Sequence, residues 1–477
     1  MRYDRRTVSF TAFPRQCVAL VWLVALASPA AAQTSSVPFL APDSPFLGGV
    51  PDGRLTAAPL TLSLVDAITR GLDHNLGVLM AEVGIDRARG ARRIALSQLL
   101  PNVNASVAEA RQVRSLEAFG FPLNGLPVTV GPFNTFDARL FVSQSLFNLS
   151  ALNEADAQSH NVAAARHGIR GARNLVALVV ANLYLQTLAA EARADSARAQ
   201  LGTARALHAQ AVDLKQGGII AGIDVVRAEV RLGTERQRTT AAANEFEKSK
   251  LQLARVIGLP IGQPFGLAAD VPDIPVPDLA LDQALERAYR DRPDYLAALE
   301  RGGAAEAHRQ SVAREAVPSV RVTADYGAIG LTAGAARSTF TVTGALEIPI
   351  FQGGKAQGRL READAELRAR RAEIADLRSE IYYDVRSAQL DMQALGEQLQ
   401  VATGARELAS QQLTQSRDRF AAGVAGSVEV IQAQEAVALA EEQYIGARYG
   451  YTLAKGMFAQ SIGPGDDALA NFLGGGK

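Results

Sequence analysis

Val317-Pro318-Ser319-Val320-Arg321-Val322-Thr323-Ala324-Asp325-Tyr326 is the stretch that decides the fold. Pro318 stops whatever helix precedes it, because proline cannot donate the next helical hydrogen bond. Beyond it, Val320, Val322, Ala324 and Tyr326 fall on one face and Arg321, Thr323 and Asp325 on the other, the period-two pattern of a strand with two unlike faces. A second alternating stretch follows, in which Phe340, Val342, Leu346 and Ile348 oppose Thr341, Thr343 and Glu347.

The surroundings of this stretch occur twice. Leu100-Pro101-Asn102-Val103 precedes Val317-Pro318-Ser319-Val320 by 217 residues, and Leu64-Val65-Asp66-Ala67-Ile68 precedes Leu281-Asp282-Gln283-Ala284-Leu285 by the same distance. Asp224-Val225-Val226-Arg227-Ala228-Glu229 returns 205 residues later as Glu429-Val430-Ile431-Gln432-Ala433-Gln434, as Val256-Ile257-Gly258 returns in Ser461-Ile462-Gly463. Pro101 and Phe147 are 46 positions apart and Pro318 and Phe351 only 33, so an insertion of 13 accounts for most of the change in offset. A repeat defines the structural unit. Here the duplicated unit reads helix, strand pair, very long helix, helix.

Residues 1–32 read as an export signal. Arg2, Arg5, Arg6 and Arg15 make a basic start, residues 18–27 an apolar stretch, and Ala30-Ala31-Ala32 a small-residue cleavage site before Gln33. Cys17 and Trp22, the single cysteine and tryptophan, both lie in this segment. The processed chain therefore has no thiol for a disulfide or a metal. Removing four Arg and one Asp turns 49 basic and 49 acidic residues into 45 and 48, a slight negative excess that argues against nucleic acid as a partner. No other stretch reaches the roughly 18 consecutive apolar residues of a membrane-spanning helix. A mature chain that enters a membrane does so with strands.

The expected layout is a signal peptide at 1–32, an extended arm at 33–60, a first repeat at 61–258, a Pro-rich linker at 259–277, a second repeat at 278–463 and a flexible tail at 464–477. The first repeat opens on one helix over residues 60–99. Its strands lie near 101–115 and 134–147, and its later helices near 148–216 and 224–258. In the second repeat the strands fall near 318–327 and 338–351, and the helices near 355–422 and 427–462. The two long helices lack proline and are rich in Ala, Arg, Glu and Gln; about 68 residues span on the order of 100 Å. Heptads supply lateral support. Leu360, Leu367, Ile374 and Ile381 recur at sevens, as do Val430, Val437, Tyr444, Tyr451 and Phe458, and their counterparts Val225, Leu232, Thr239, Phe246 and Leu253. Gly218 and Gly423 mark helix ends at the hairpin turns, and Asp224 and Ser427 mark the next helix starts.

Four amphipathic strands are too few to close a barrel, and an open sheet in lipid leaves edge groups unpaired at several kcal/mol each. Such strands cross a bilayer when chains pool them: eight from two copies, or twelve from three.

The chain resembles the TolC-like outer membrane efflux proteins, the outer membrane factors. The resemblance rests on the twofold layout and on the two Pro-bearing motifs before the strands. Ser145-Leu146-Phe147 and Pro349-Ile350-Phe351-Gln352-Gly353-Gly354 follow the strands, and Arg419-Phe420-Ala421-Ala422-Gly423 precedes the segment at Glu429. It covers residues 60–463. It implies a mainly α fold with a β-barrel portion: a homotrimer whose strands form a 12-stranded outer-membrane barrel, joined to a long periplasmic α-helical coiled-coil barrel. The implied function is a passive exit channel of a tripartite efflux or type I secretion system, set in outer-membrane lipid. It would dock with a periplasmic adaptor (a membrane fusion protein) and an inner-membrane RND, ABC or MFS pump.

The resemblance also implies roles for residues. Gly218, Ile219, Gly222, Gly423, Val424 and Gly426 fall at the two helical tips, where an adaptor would dock. Glu429 matches an acidic ring that constricts the periplasmic entrance, with Asp224 in the equivalent place of the first copy; three carboxylates around a pore favour cations. Equally, Asp224 and Glu429 are ordinary acidic residues at helix N-termini. Phe420 and Ala425 lack the polar side chains that tie neighbouring helices shut in some family members, which predicts resting closure by packing. Residues 111–132 and 327–337 are expected as extracellular loops; Phe119, Phe121 and Phe133 either partly cover the mouth or belong to a variable rim.

No enzyme chemistry, cofactor or metal site is legible. His74, His160, His167, His208 and His308 are scattered, with no third ligand for His160 and His167, and no triad spacing or phosphate loop occurs. The competing reading is a periplasmic coiled-coil scaffold or adaptor without a channel. Two helical hairpins and strands with one apolar face weigh against it. Drug, metal and protein remain open as substrates.

Overall fold

The computed structural model describes residues 41, 43–115, 128–268, 279–422 and 424–463, and Asp43–Lys477 forms one compact unit. After a turn at Pro45–Leu47 come β1 (Leu60–Leu62), α1 (Leu64–His74), α2 (Leu76–Ser97), β2 (Asn102–Ser115), β3 (Thr129–Phe147), α3 (Leu149–Gln216) and α4 (Gly222–Val256). Then follow β4 (Phe265–Leu267), α5 (Leu281–Asp291), α6 (Pro293–Ala313), β5 (Ser319–Gly330), β6 (Arg337–Glu347), α7 (Lys355–Ala421) and α8 (Ser427–Ser461).

Four strands make one antiparallel sheet in the order β2-β3-β5-β6. The register pairs Val103 with Val142, Leu140 with Tyr326, Tyr326 with Phe340 and Ala324 with Val342, so these side chains share one apolar face. Asn104, Ser106, Arg139, Ser143, Asp325, Thr341 and Thr343 occupy the opposite face by the same registers. The apolar face is open: Phe340 is 75% and Val342 68% exposed. On the polar face, Arg139 donates from Nε to Asp137 and from Nη1 to Asp325, each at 2.7 Å. Gly327 sits opposite Arg139. A Cβ there would stand 2.2 Å from the Ala138 carbonyl oxygen and 2.5 Å from Arg139 Cγ, so the missing side chain lets β5 lie this close to the β3 backbone.

Strand boundaries correct the expectations. The expected loop at 111–132 loses its ends to β2 and β3, and Phe133 is a half-buried strand residue paired with Gln112. Phe119 and Phe121 lie outside the described residues. β5 and β6 reduce the 327–337 loop to residues 331–336, and β6 ends at Glu347, before Pro349, rather than near 351.

The helix expected over 60–99 is a strand and two helices. Ser63 and Asp66 cap α1 reciprocally. Asn75 then breaks the run: its Oδ1 accepts from the Gly77 N–H at 2.8 Å and its Nδ2 donates to the Phe46 carbonyl at 2.9 Å. Asn75 is fully buried, and it exchanges helix continuation for satisfied side-chain bonds. β1 pairs in parallel with β4, a strand inside what reads as a Pro-rich linker.

α3 is the central helix, packing on α1, α2, α4, α6 and α8. It contains a window apolar enough to cross a membrane, but 78% of that window is buried inside the chain; this is a core helix. Its buried positions are dominated by alanine, which lets neighbouring helices approach closely. Of the heptad positions, Leu232, Leu253, Leu367, Ile381, Val430 and Phe458 are buried, and Val225, Thr239, Phe246, Leu360, Ile374, Val437, Tyr444 and Tyr451 are half-buried.

Tyr184 of α3 is fully buried, its hydroxyl 2.9 Å from the carbonyls of both Leu62 and Ala268, one on β1 and one beyond β4. Burial pushes its phenol up to about 12. The neutral phenol is the folded form, so its stabilisation is complete below the ordinary tyrosine value near 10 and is lost as pH rises through about 12. Tyr184→Phe is expected to cost about 1 kcal/mol at pH 8. Urea-unfolding midpoints across the alkaline range will check this, with the variant showing a shallower fall than the parent.

Candidate functional site

The two helical hairpins end side by side. At the first tip, the Gly218 N–H donates to the Lys215 carbonyl and the Ile219 N–H to the Leu214 carbonyl. These are the two reversed bonds that close a helix through a left-handed residue, and Gly218 supplies it at φ +73°. The second tip repeats the outer bond, from the Val424 N–H to the Arg419 carbonyl at 3.0 Å; Gly423 lies outside the described residues. Ile219 and Val424 are 64% and 68% exposed, so each tip presents an apolar side chain to its surroundings. Gly222 is the first residue of α4, and Gly426 is the N-cap of α8.

The carboxylates take different positions. Asp224 lies in the first turn of α4 and accepts from the Ser427 hydroxyl at 2.7 Å, linking one hairpin to the other, with Arg227 3.4 Å away. Glu429 lies in the first turn of α8 and stays within its own hairpin, accepting from Arg419 Nε at 3.1 Å and from the Ser416 hydroxyl at 3.5 Å. Neither acid caps a helix through a side-chain bond. The N-caps are Ala221 and Gly426, and Ser427, expected to start α8 as a cap, directs its hydroxyl to Asp224 instead.

Phe420 is buried and packs with Leu207 of α3 and Val430 of α8. Packing thus joins the hairpins near their tips. The Asp224–Ser427 bond adds a polar link that Phe420 and Ala425 did not reveal.

Two further cross-links were missed in the sequence. Arg231 of α4 donates to Glu435 of α8 at 2.7 Å and pairs with the fully buried Glu235 at 2.9 Å. Higher up, Arg193 of α3 meets Glu442 of α8 at 2.9 Å. Ion pairs across more than 200 residues leave no local pattern. The 205-residue offset was the available signal, since it brings α4 and α8 to the same height. A buried pair such as Arg231–Glu235 is held by mutual attraction against a desolvation cost of several kcal/mol per ion.

The fold is thus a two-faced four-stranded sheet continued by helices on the order of 100 Å long. The chain belongs to the outer membrane efflux protein family, whose sequence model matches residues 67–259 and 282–463. This is a family of transport channels, and the protein is an outer-membrane exit channel for efflux. Two Pseudomonas putida proteins, the probable efflux pump outer membrane protein SepC and the toluene efflux pump outer membrane protein TtgF, are each 23% identical over 417 residues. Each alignment covers 85% of this chain and 84% of the relative. The crystal structure of the outer membrane protein VceC from Vibrio cholerae is similar in fold, with a TM-score of 0.72 at 18% identity, over 84% of this chain and 96% of VceC.

Removing the Phe420 ring is expected to cost about 3–5 kcal/mol of local stability. In Phe420→Ala, hydrogen exchange should therefore accelerate around residues 205–214 and 424–432 while the sheet keeps its protection. Ser427→Ala, which removes only the link to Asp224, should accelerate the same segments more weakly.

Proposed function

We propose that three copies of this chain pool their strands into a 12-stranded barrel through the outer membrane, and that their long helices form one periplasmic tunnel. The observation that carries this reading is the four-stranded sheet, with a polar and an apolar face and two edges, β2 and β6, that are unpaired among the described residues. In hydrocarbon each unpaired backbone group costs several kcal/mol, so the edges need partners, and sister chains offer matching ones. Three copies place twelve strands around a polar lumen, with Phe340 and Val342 toward lipid. The same geometry disfavours a soluble scaffold or adaptor, which has no use for an open apolar sheet face.

The tunnel is a passive duct. It receives its cargo at the hairpin tips from a periplasmic adaptor and an inner-membrane pump of the RND, ABC or MFS type, with Gly218, Ile219, Gly222, Gly423, Val424 and Gly426 forming the docking edge. Substrate choice lies with the pump, since a shared wall discriminates little between drug, metal and protein. Three Glu429 side chains would ring the entrance, each partly neutralised by its Arg419. That arrangement favours cations and narrows the pore; Asp224, held by Ser427, serves closure more than charge selection.

Two measurements test this. Detergent extraction of membranes followed by native mass spectrometry should give a trimer; a monomer recovered in the soluble fraction would contradict the duct. In planar bilayers, Glu429→Ala should raise single-channel conductance and lower cation preference. An unchanged conductance would remove the constriction from Glu429.

A further inference from the structure

The two repeats make equivalent contacts. Arg92 of α2 donates to the Ser159 hydroxyl of α3 at 2.9 Å; their equivalents at the 217- and 205-residue offsets, Arg309 of α6 and Asp364 of α7, meet at 2.5 Å. Asn75 reaches the Val256 carbonyl at 3.4 Å, and its equivalent Arg292 reaches the carbonyl of Ser461, the equivalent of Val256, at 3.5 Å. α2 therefore corresponds to α6, and α3 to α7. Within the chain these helices form a row, α2 on α3, α3 on α6 and α6 on α7. The contact of α3 with α6 has a counterpart, α7 with α2, but those two helices stand at opposite ends of the row.

α2 carries a face that fits this missing contact. Ala297, Ala304, Ala307 and Ser311 of α6 are buried. Their equivalents on α2 are Met80, Arg87, Gly90 and Ile94, and Met80 is 58% and Ile94 70% exposed. With the exposed Val83 they recur at alternating spacings of three and four, which is one face of a helix. The contact of α3 with α6 supplies a register. His160 meets Glu300 at 2.7 Å, His308 meets Glu154 at 2.8 Å, and the Ser150 and Ser311 hydroxyls meet at 3.1 Å. The two offsets turn these pairs into Val83 opposite Ala365, Ala91 opposite Arg359 and Ile94 opposite Lys355. Ala157 and Ala304 each lie midway between the two His–Glu pairs on their own helices, and their equivalents are Glu362 and Arg87. Both are exposed, and neither forms an ion pair among the described residues. Two facing alanines thus have opposite charges as their counterparts. Ala365 in place of His160, and Gly90 in place of Ala307, leave room for the longer side chains.

We propose that α7 of a second copy covers this α2 face in the register of α3 on α6, with the Arg87 guanidinium donating to Glu362 of the partner subunit. The seam rests on the pooled sheet proposed above and continues it. β2 follows α2 and β6 precedes α7, so joining those two strand edges brings the same two helices side by side. Burial of Met80, Val83 and Ile94 supplies the attraction, and the charge pair fixes the register and excludes a slipped one.

Residues 33–477 contain no cysteine, so introduced thiols report single contacts. In mildly oxidised membranes, Ile94→Cys with Lys355→Cys, at the equivalents of Ser311 and Ser150, should form disulfides between chains and give a covalent trimer. Ser150→Cys with Ser311→Cys should close within one chain and leave its mass unchanged. Ile94→Cys with Glu362→Cys, about 10 Å out of register, should cross-link about tenfold more slowly, being beyond disulfide reach. Arg87→Glu sets like charges against each other at every seam and should shorten the lifetime of the trimer in dodecyl sulfate about tenfold. Adding Glu362→Arg to the same chain should restore it. Native mass spectrometry of the detergent-extracted protein separates the two ways of failing. A trimer in which the first cysteine pair stays reduced, or in which the out-of-register pair cross-links equally fast, would overturn the seam and leave the pooled barrel standing. So would a double charge variant no longer-lived than Arg87→Glu. A monomer would overturn both.

Discussion

Backbone hydrogen bonding at the edges of the four-stranded sheet is the constraint on which the rest of the molecule depends. β2 and β6 each present a row of amide groups with no partner strand among the described residues. Water would satisfy them at little cost, whereas hydrocarbon would not. The apolar face of the same sheet, with Tyr326, Phe340, Val342 and Leu346 exposed, is unfavourable in water and at home in lipid. The face calls for a membrane, and the edges call for neighbours.

The helical half meets a different constraint. Helices of 68 and 67 residues gain little from their own propensity over such a length without lateral packing. α3 solves this by burying a continuous apolar segment from Val176 to Leu185 among the surrounding helices. Nearer the tips this packing thins out. There the hairpins are held by Phe420 with Leu207 and Val430, and by the polar contacts Asp224–Ser427, Arg231–Glu435 and Arg193–Glu442. The tips are thus held by fewer buried apolar contacts than the middle of α3, and local opening costs least there.

Sequence and structure part company where a single residue redirects the chain. A helix over 60–99 follows from composition, but Asn75 satisfies its own polar groups better by ending α1 and capping α2. β1 and β4 are three residues each, too short for periodicity to register, and exist because Tyr184 and their mutual pairing hold them. At the tips, Gly218, Asp224 and Glu429 are legible as turn and helix-start residues. That Asp224 crosses to Ser427 while Glu429 remains with Arg419 is not, because the repeat offset treats the two acids as equivalents.

The sequence by itself determined the two-faced strands, the long helices with their heptad seams, and the membership of the chain in an outer-membrane transport family. The first two are periodic properties, expressed by residues close together in the chain, and the third is a resemblance carried by the repeated motifs. Only the tertiary structure decided which carboxylate joins the hairpins and which arginine is buried. Those outcomes depend on side chains about 200 residues apart meeting at the same height, and no local pattern encodes the rotation of one helix against another.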